Sequence, residues 1–165
     1  TEDGSVLSDD LLDRVAAAGI IADPTMGNDF SLVGQLPPPP PQVAEIMQRM
    51  NLDMMTFFMQ RYTDVGRMRE RGVRVVPGVD AGAMPLKAHG NAWLAVTDLV
   101  KSGYPVEEAL AAGTSGAADA CGVGDVTGRL AVGYDADLLV VEGDLAADPG
   151  GLGRPQAVLV RGHRV

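Results

Sequence analysis

The sequence predicts an α/β fold: a parallel sheet flanked by helices, followed by a small all-β segment. Three observations predict it. Apolar runs of strand length alternate with amphipathic helical segments as far as about residue 122, and that alternation calls for parallel strands joined by helical crossovers. Glycines stand where the helical segments should stop, at Gly19, Gly72, Gly103 and Gly122. From residue 123 the helical period gives way to short β-rich runs between turn residues.

The elements follow in order. Ser8 can cap a helix whose first turn holds Asp9 and Asp10. Leu11, Leu12, Val15 and Ala16 give that helix an apolar stripe. Residues 20–22 form a short apolar run stopped by Asp23-Pro24, a buried strand. Residues 27–41 predict a long loop ending in five prolines, 37–41, which must be extended polyproline II. The run suits an SH3-type ligand or, the favoured reading, a stiff spacer. Residues 43–50 and 51–71 predict helices with Met54, Phe57, Phe58, Tyr62, Val65 and Met68 on an apolar face. Met47, Met50, Met54, Met55 and Met59 crowd this stretch; core packing is favoured over a substrate-facing lid, since methionine serves both. Residues 73–79 predict a second strand and residues 91–102 a helix with Leu94, Ala95, Leu99 and Val100 inward. Pro105 opens a helix over 106–112, and Thr114 caps a further one to Ala120. In the tail, residues 130–132 are short and apolar, residues 136–141 and 157–160 are strands, and Arg161-Gly162-His163 turns into the last strand residues.

Composition narrows the function. A 165-residue chain with 46% hydrophobic residues and a mean hydropathy of +0.08 predicts a globular domain with a sizeable core. The net charge of −9 argues against nucleic acid and against an anionic membrane surface. No apolar run reaches the length of a membrane helix. One cysteine, Cys121, leaves no internal disulfide and no paired-cysteine zinc site, which fits a reducing cytoplasm; it is expected to be a small packed side chain. Thr1-Glu2-Asp3-Gly4 has neither a basic nor an apolar leader region, and the chain enters a helix signal almost at once without a starting methionine. The expectation is a C-terminal fragment of a cytoplasmic protein.

Two motifs point to chemistry. Gly78-Val79-Asp80-Ala81-Gly82 ends an apolar strand, the end at which barrel enzymes place catalytic groups. An aspartate there can bind a metal or take a proton. The second motif is the run 128–141, GRLAVGYDADLLVV, with the ending 157–165, AVLVRGHRV. Together with Gly103-Tyr104-Pro105 and Ala112-Gly113-Thr114-Ser115 between them, these segments resemble the amidohydrolase superfamily in order and spacing over residues 72–165. Asp80-Ala81-Gly82 followed by His89-Gly90 resembles its imidazolonepropionase-like and prolidase-like branch.

The resemblance implies the C-terminal part of a (β/α)8 TIM-like barrel plus strands of a small β-sandwich. Residues 1–122 would be a partial barrel containing strands seven and eight, and residues 123–165 part of the sandwich. It implies a hydrolase of carbon–nitrogen bonds in non-peptide amides, cyclic imides or dipeptide-like substrates, using water activated by a divalent metal, with zinc expected in the intact enzyme. Asp80 would be both metal contact and proton acceptor. His89 would be either a substrate contact or a loop histidine capping nearby backbone, and His163 a surface residue. Val79 replaces the Thr or Ser the family often has before the aspartate. The histidine pair and bridging ligand of earlier strands have no counterpart here, so tight metal binding by this chain alone is not expected. The implied partner is a small-molecule substrate, and unpaired strand edges imply self-association. The reading from another class is a non-catalytic binding or assembly module built on the same fold.

Overall fold

The computed structural model describes residues 7–49, 51 and 53–165, excluding the side chain of Met54. The mixed α/β prediction holds. The first helix, α1 (Asp9–Ala17), begins where Ser8 accepts the Leu11 N–H at 3.2 Å. It leads into β1 (Ile21–Ala22). A 3-10 helix (Phe30–Gln35) occupies part of the segment expected to be loop, because Asp29 caps it by accepting the Ser31 N–H. Then come α2 (Pro41–Arg49), α3 (Met54–Glu70), capped by Asp53 at 2.7 Å from the Thr56 nitrogen, and β2 (Arg74–Val75). The strands pair in parallel, Ile21 with Arg74 and Ala22 with Val75. The Val76 N–H extends the ladder to the Ala22 carbonyl at 3.0 Å. Both strands are shorter than their apolar runs.

After β2 come α4 (Ala92–Lys101), α5 (Val106–Ala111), a π-helical turn (Ala112–Gly116) and α6 (Ala117–Ala120). The sequence separates two helices at Thr114, but the structure runs them together. Thr114 does not cap; its hydroxyl donates to the Leu110 carbonyl at 2.7 Å inside the helix. The reason is Gly113: a Cβ there would lie 2.7 Å from Val96 Cγ2, so glycine lets this helix press directly on α4.

The core lies between α1, α3, α4, α5 and the strands. It is built from Leu12, Val65, Val73, Val75, Ala95, Leu99 and Ala109, with Leu86 buried in the loop before α4. Burying Leu86 and Leu99 contributes about 2 kcal/mol each. Arg67 to Asp9 at 2.6 Å and Arg71 to Asp13 at 2.9 Å bridge α3 to α1 at the surface, pairs that contribute little individually. Cys121 is exposed, contrary to its expected packing: it is the residue just past the end of the four-residue helix α6. Leu130 and Val132, in the short apolar run, are exposed.

The tail is a three-stranded antiparallel sheet of β3 (Leu138–Val141), β4 (Pro155–Val160) and β5 (His163–Arg164). Leu138 faces Leu159, and Val160 faces His163. Arg161 and Gly162 both have positive φ, 49° and 80°, as a two-residue type I′ hairpin requires. Asp137, in the Ala-Asp-Leu segment, has a structural task here. One carboxylate oxygen accepts the Arg161 N–H at 2.9 Å and the other the Thr127 hydroxyl at 2.8 Å. Those bonds, the backbone one foremost, hold its carboxyl below the usual carboxylate range. Among the described residues, no helix is long and apolar enough to cross a membrane.

Candidate active site

Because β1 and β2 are parallel, the chain leaves both at the same end. Asp23 follows β1 there and Asp80 follows β2. Asp23 accepts the Thr25 N–H at 2.8 Å. Its carboxylate lies against the neighbouring strand's continuation: a Cβ on Gly78 would stand 1.8 Å from a carboxylate oxygen. Glycine at 78 leaves the space that the Asp23 carboxylate occupies; a side chain there would make the carboxylate turn away.

Asp80 is exposed and has φ of +58°. Aspartate tolerates this left-handed conformation better than most side chains, at a cost of about 1–2 kcal/mol. The reversal turns the chain out of the strand direction, and the Ala83 N–H returns to the Asp80 carbonyl at 3.2 Å. His89 belongs to the same loop. Its Nε2 would be 3.4 Å from a Cβ on Gly82, so the imidazole lies over the segment two residues from Asp80, with its ring exposed. The structure thus brings Asp80 and His89 to one loop. His163 is exposed in β5 of the tail sheet.

The loop after β1 is clamped from three directions. From α3, Arg61 donates to the Pro24 carbonyl at 3.0 Å and the Thr25 carbonyl at 3.3 Å, and its guanidinium stacks 5.0 Å from the Phe57 ring. From α4, Asp98, 1% exposed, accepts the Gly27 N–H at 3.0 Å, the Tyr62 hydroxyl at 3.0 Å and the Lys101 ammonium at 2.9 Å. Burial, reinforced by the Asp98 charge, pushes the Tyr62 phenol well above its usual range. From the loop after β2, buried Lys87 donates to the carbonyls of Thr25, Met26 and Val79. Burial lowers its pKa, helped by Arg61, while Asp80, Asp23 and Asp98 pull the other way.

Sequence reasoning singled out Asp80 and His89 and missed Asp23, Arg61, Lys87 and Asp98. Asp98 had a legible signal: it is the lone acid in the apolar stretch AWLAVTDLV, three residues after inward Ala95. Lys87 had none, since all its partners are backbone carbonyls and two of the three, Thr25 and Met26, are distant in sequence.

A catalytic zinc needs about three protein ligands plus water. Among the described residues no cluster of three or more His, Cys, Asp or Glu could hold a metal ion. The residues at this strand end amount to single carboxylates. They fit one position in a metal shell and do not make a site by themselves.

The geometry is a mixed α/β one in which aspartates follow the ends of two parallel strands. Residues 1–162 match the model of the amidohydrolase family, so the chain belongs to that family. It is similar in structure to a Xaa-Pro dipeptidase with methionine bound in the active site, with a TM-score of 0.80 and 22% identity over 98% of this chain and 38% of that one. It is also similar to a putative prolidase from Bifidobacterium longum, with a TM-score of 0.72 and 27% identity over 98% of this chain and 40% of that one. A third likeness is to a prolidase complexed with N-methylphosphonate-L-proline, with a TM-score of 0.73 and 20% identity over 98% and 38% of the respective chains. The chain spans about two fifths of the length of these structures. Comparison with curated proteins finds no match.

Proposed function

We propose that this chain is the C-terminal part of a metal-dependent amidohydrolase that hydrolyses a carbon–nitrogen bond in a small dipeptide-like substrate. In this reading β1 and β2 are the seventh and eighth strands of a (β/α)8 barrel, within residues 1–122. Residues 123–165 form part of a β-sandwich beside it. The observation that carries the reading is Asp80, an exposed aspartate turned out of the end of a parallel strand by a positive φ. The prolidase and dipeptidase likenesses favour Xaa-Pro dipeptides over cyclic imides as first substrates to test.

Asp80 is then one ligand of a divalent metal, zinc in the first instance, whose other ligands lie outside this chain. Such a metal, when bound, lowers the pKa of water and polarises the scissile carbonyl. Asp80 takes the proton of the attacking water and passes it to the leaving nitrogen, work suited to an acceptor-only carboxylate. His89, exposed beside Gly82, is available to contact the substrate. The compartment proposed is the cytoplasm.

The test uses the full-length enzyme with zinc or manganese and a panel of dipeptides. Hydrolysis of Xaa-Pro substrates that falls by about 10²–10⁴-fold in Asp80→Asn, with an unchanged melting temperature, is the expected result. Near-normal turnover by that variant removes Asp80 from the chemistry. Absence of hydrolysis from the wild type across the panel favours the non-catalytic module.

A further inference from the structure

The loop between β2 and α4 contains a buried cation that the proposed chemistry leaves unused. Lys87 is 5% exposed, and its ammonium has three acceptors for its three protons: the carbonyls of Val79 at 2.7 Å, of Met26 at 3.3 Å and of Thr25. All three acceptors are neutral backbone oxygens. An ammonium saturated in this way has no proton or lone pair to offer a substrate, so Lys87 is neither an acid nor a nucleophile. The contacts follow a pattern. Val79 immediately precedes Asp80. On the other side, the Gly82 N–H donates to the Lys87 carbonyl at 2.7 Å. The two residues flanking Asp80-Ala81 are thus both bound to Lys87, one through its side chain and the other through its backbone. The same ammonium reaches across to the loop after β1, where Asp23 and Gly27 are held. One residue therefore links the outgoing loops of both parallel strands at the point where Asp80 adopts its positive φ.

We propose that Lys87 is a positioning residue, which fixes the backbone on both sides of Asp80 and locks the β2 loop to the β1 loop, so that the Asp80 carboxylate is aimed where the reaction needs it. This rests on the reading of Asp80 as proton acceptor. An ammonium suits the position because its three protons serve all three carbonyls at once. Arg61 also reaches the Thr25 carbonyl, but among the described residues the Lys87 ammonium alone joins that loop to Val79, and a buried carbonyl left without a partner is costly.

The experiment uses the full-length enzyme with an Xaa-Pro dipeptide. Lys87→Met keeps the length of the side chain and removes the donors. Its kcat is expected to fall about 10–100-fold, the range for residues that orient a metal or catalytic ligand, while KM stays within about threefold. Lys87→Arg, which retains several donors, is expected to recover part of the loss. It also carries the comparison if the methionine variant does not fold. In an Asp80→Asn background Lys87→Met should cost less than about twofold more, because a residue acting through Asp80 has nothing left to position. Unchanged kcat in Lys87→Met, or the same fractional loss in both backgrounds, overturns the proposal. If the wild type hydrolyses no dipeptide, the functional reading fails on its own, and a crystal structure of the Lys87→Met enzyme still decides the positioning. Residue 80 leaving its positive φ, or the segment 79–82 separating from Thr25 and Met26, supports it; an unmoved loop overturns it.

Discussion

Tyr104 shows what a single buried polar atom does in this core. Its side chain is 8% exposed, with the Arg69 guanidinium 5.5 Å from the ring, and its hydroxyl finds no partner among the described residues. Burial, the larger cause, pushes the phenol up to about 12, although the nearby Arg69 opposes the rise. The folded chain thus holds this proton more tightly than the unfolded one, whose phenol ionises near 10. The associated stability is complete below pH 10 and is lost as pH rises through about 12. Tyr104→Phe should remove that part of the alkaline slope, leaving the contribution of Tyr62, whose phenol is raised as well. At neutral pH the substitution should be neutral or stabilising by about 1 kcal/mol, since it deletes an unsatisfied hydroxyl and keeps the ring. Urea titrations at pH 7 and pH 11 would measure both effects; a Phe variant as alkali-sensitive as the wild type would contradict the assignment. Asp98 is the contrasting residue. It is more deeply buried, yet has three hydrogen-bond partners, so its burial is matched by bonds from Gly27, Tyr62 and Lys101.

At the scale of elements, legibility followed locality. Helix α1 was readable because Ser8, the acidic first turn and Gly19 all act within a few residues. The strands β3 and β4 were readable as short apolar runs, and the turn from β4 to β5 from Arg161-Gly162, for the same reason. The strands β1 and β2 were recognisable as apolar runs, but their length is set by how far the two chains run side by side, a long-range property. The joining of α5 to α6 depended on Gly113 meeting Val96, again invisible locally. The methionine-rich segment was read toward the core, and the described residues correct that reading. Met55 and Met59 are 42% and 53% exposed, Met47 is half-buried and α2 buries no residue, while Met50 and the Met54 side chain lie outside the described residues. Composition recorded apolar side chains without recording whether anything lies opposite them. Since the segment joins the end of β1 to α3, it leaves from the end that holds Asp80. We predict that replacing residues 38–49 with a short Gly-Ser link in the full-length enzyme changes the melting temperature by only a few degrees. No buried side chain is lost, and surface changes are usually within about 0.5 kcal/mol. Substrate preference among dipeptides, measured as ratios of kcat/KM, should shift about tenfold or more. A large fall in melting temperature with unchanged ratios would restore the core reading.

At the scale of the whole molecule, the described chain exposes surfaces that larger relatives have the length to cover. Each of the paired strands β1 and β2 has one neighbour in a two-stranded sheet, which leaves an edge of unpaired backbone groups on either side. The tail sheet exposes Leu139, Val140 and Val160, and Leu130, Val132 and Val165 are exposed as well. Open edges and exposed apolar side chains both favour association with another chain. The net charge of −9 opposes it through mutual repulsion, a force that salt screens within a Debye length of about 10 Å at 0.1 M. The isolated 165-residue chain is therefore predicted to self-associate, and to do so more strongly as salt is raised. Sedimentation velocity at low and moderate ionic strength would read this directly. The same chain, offering single carboxylates at the strand ends, should retain no stoichiometric zinc after dialysis and should hydrolyse no dipeptide with zinc or manganese added. A monodisperse monomer with one tightly held zinc and measurable turnover would show that these residues complete a site without the rest of a barrel.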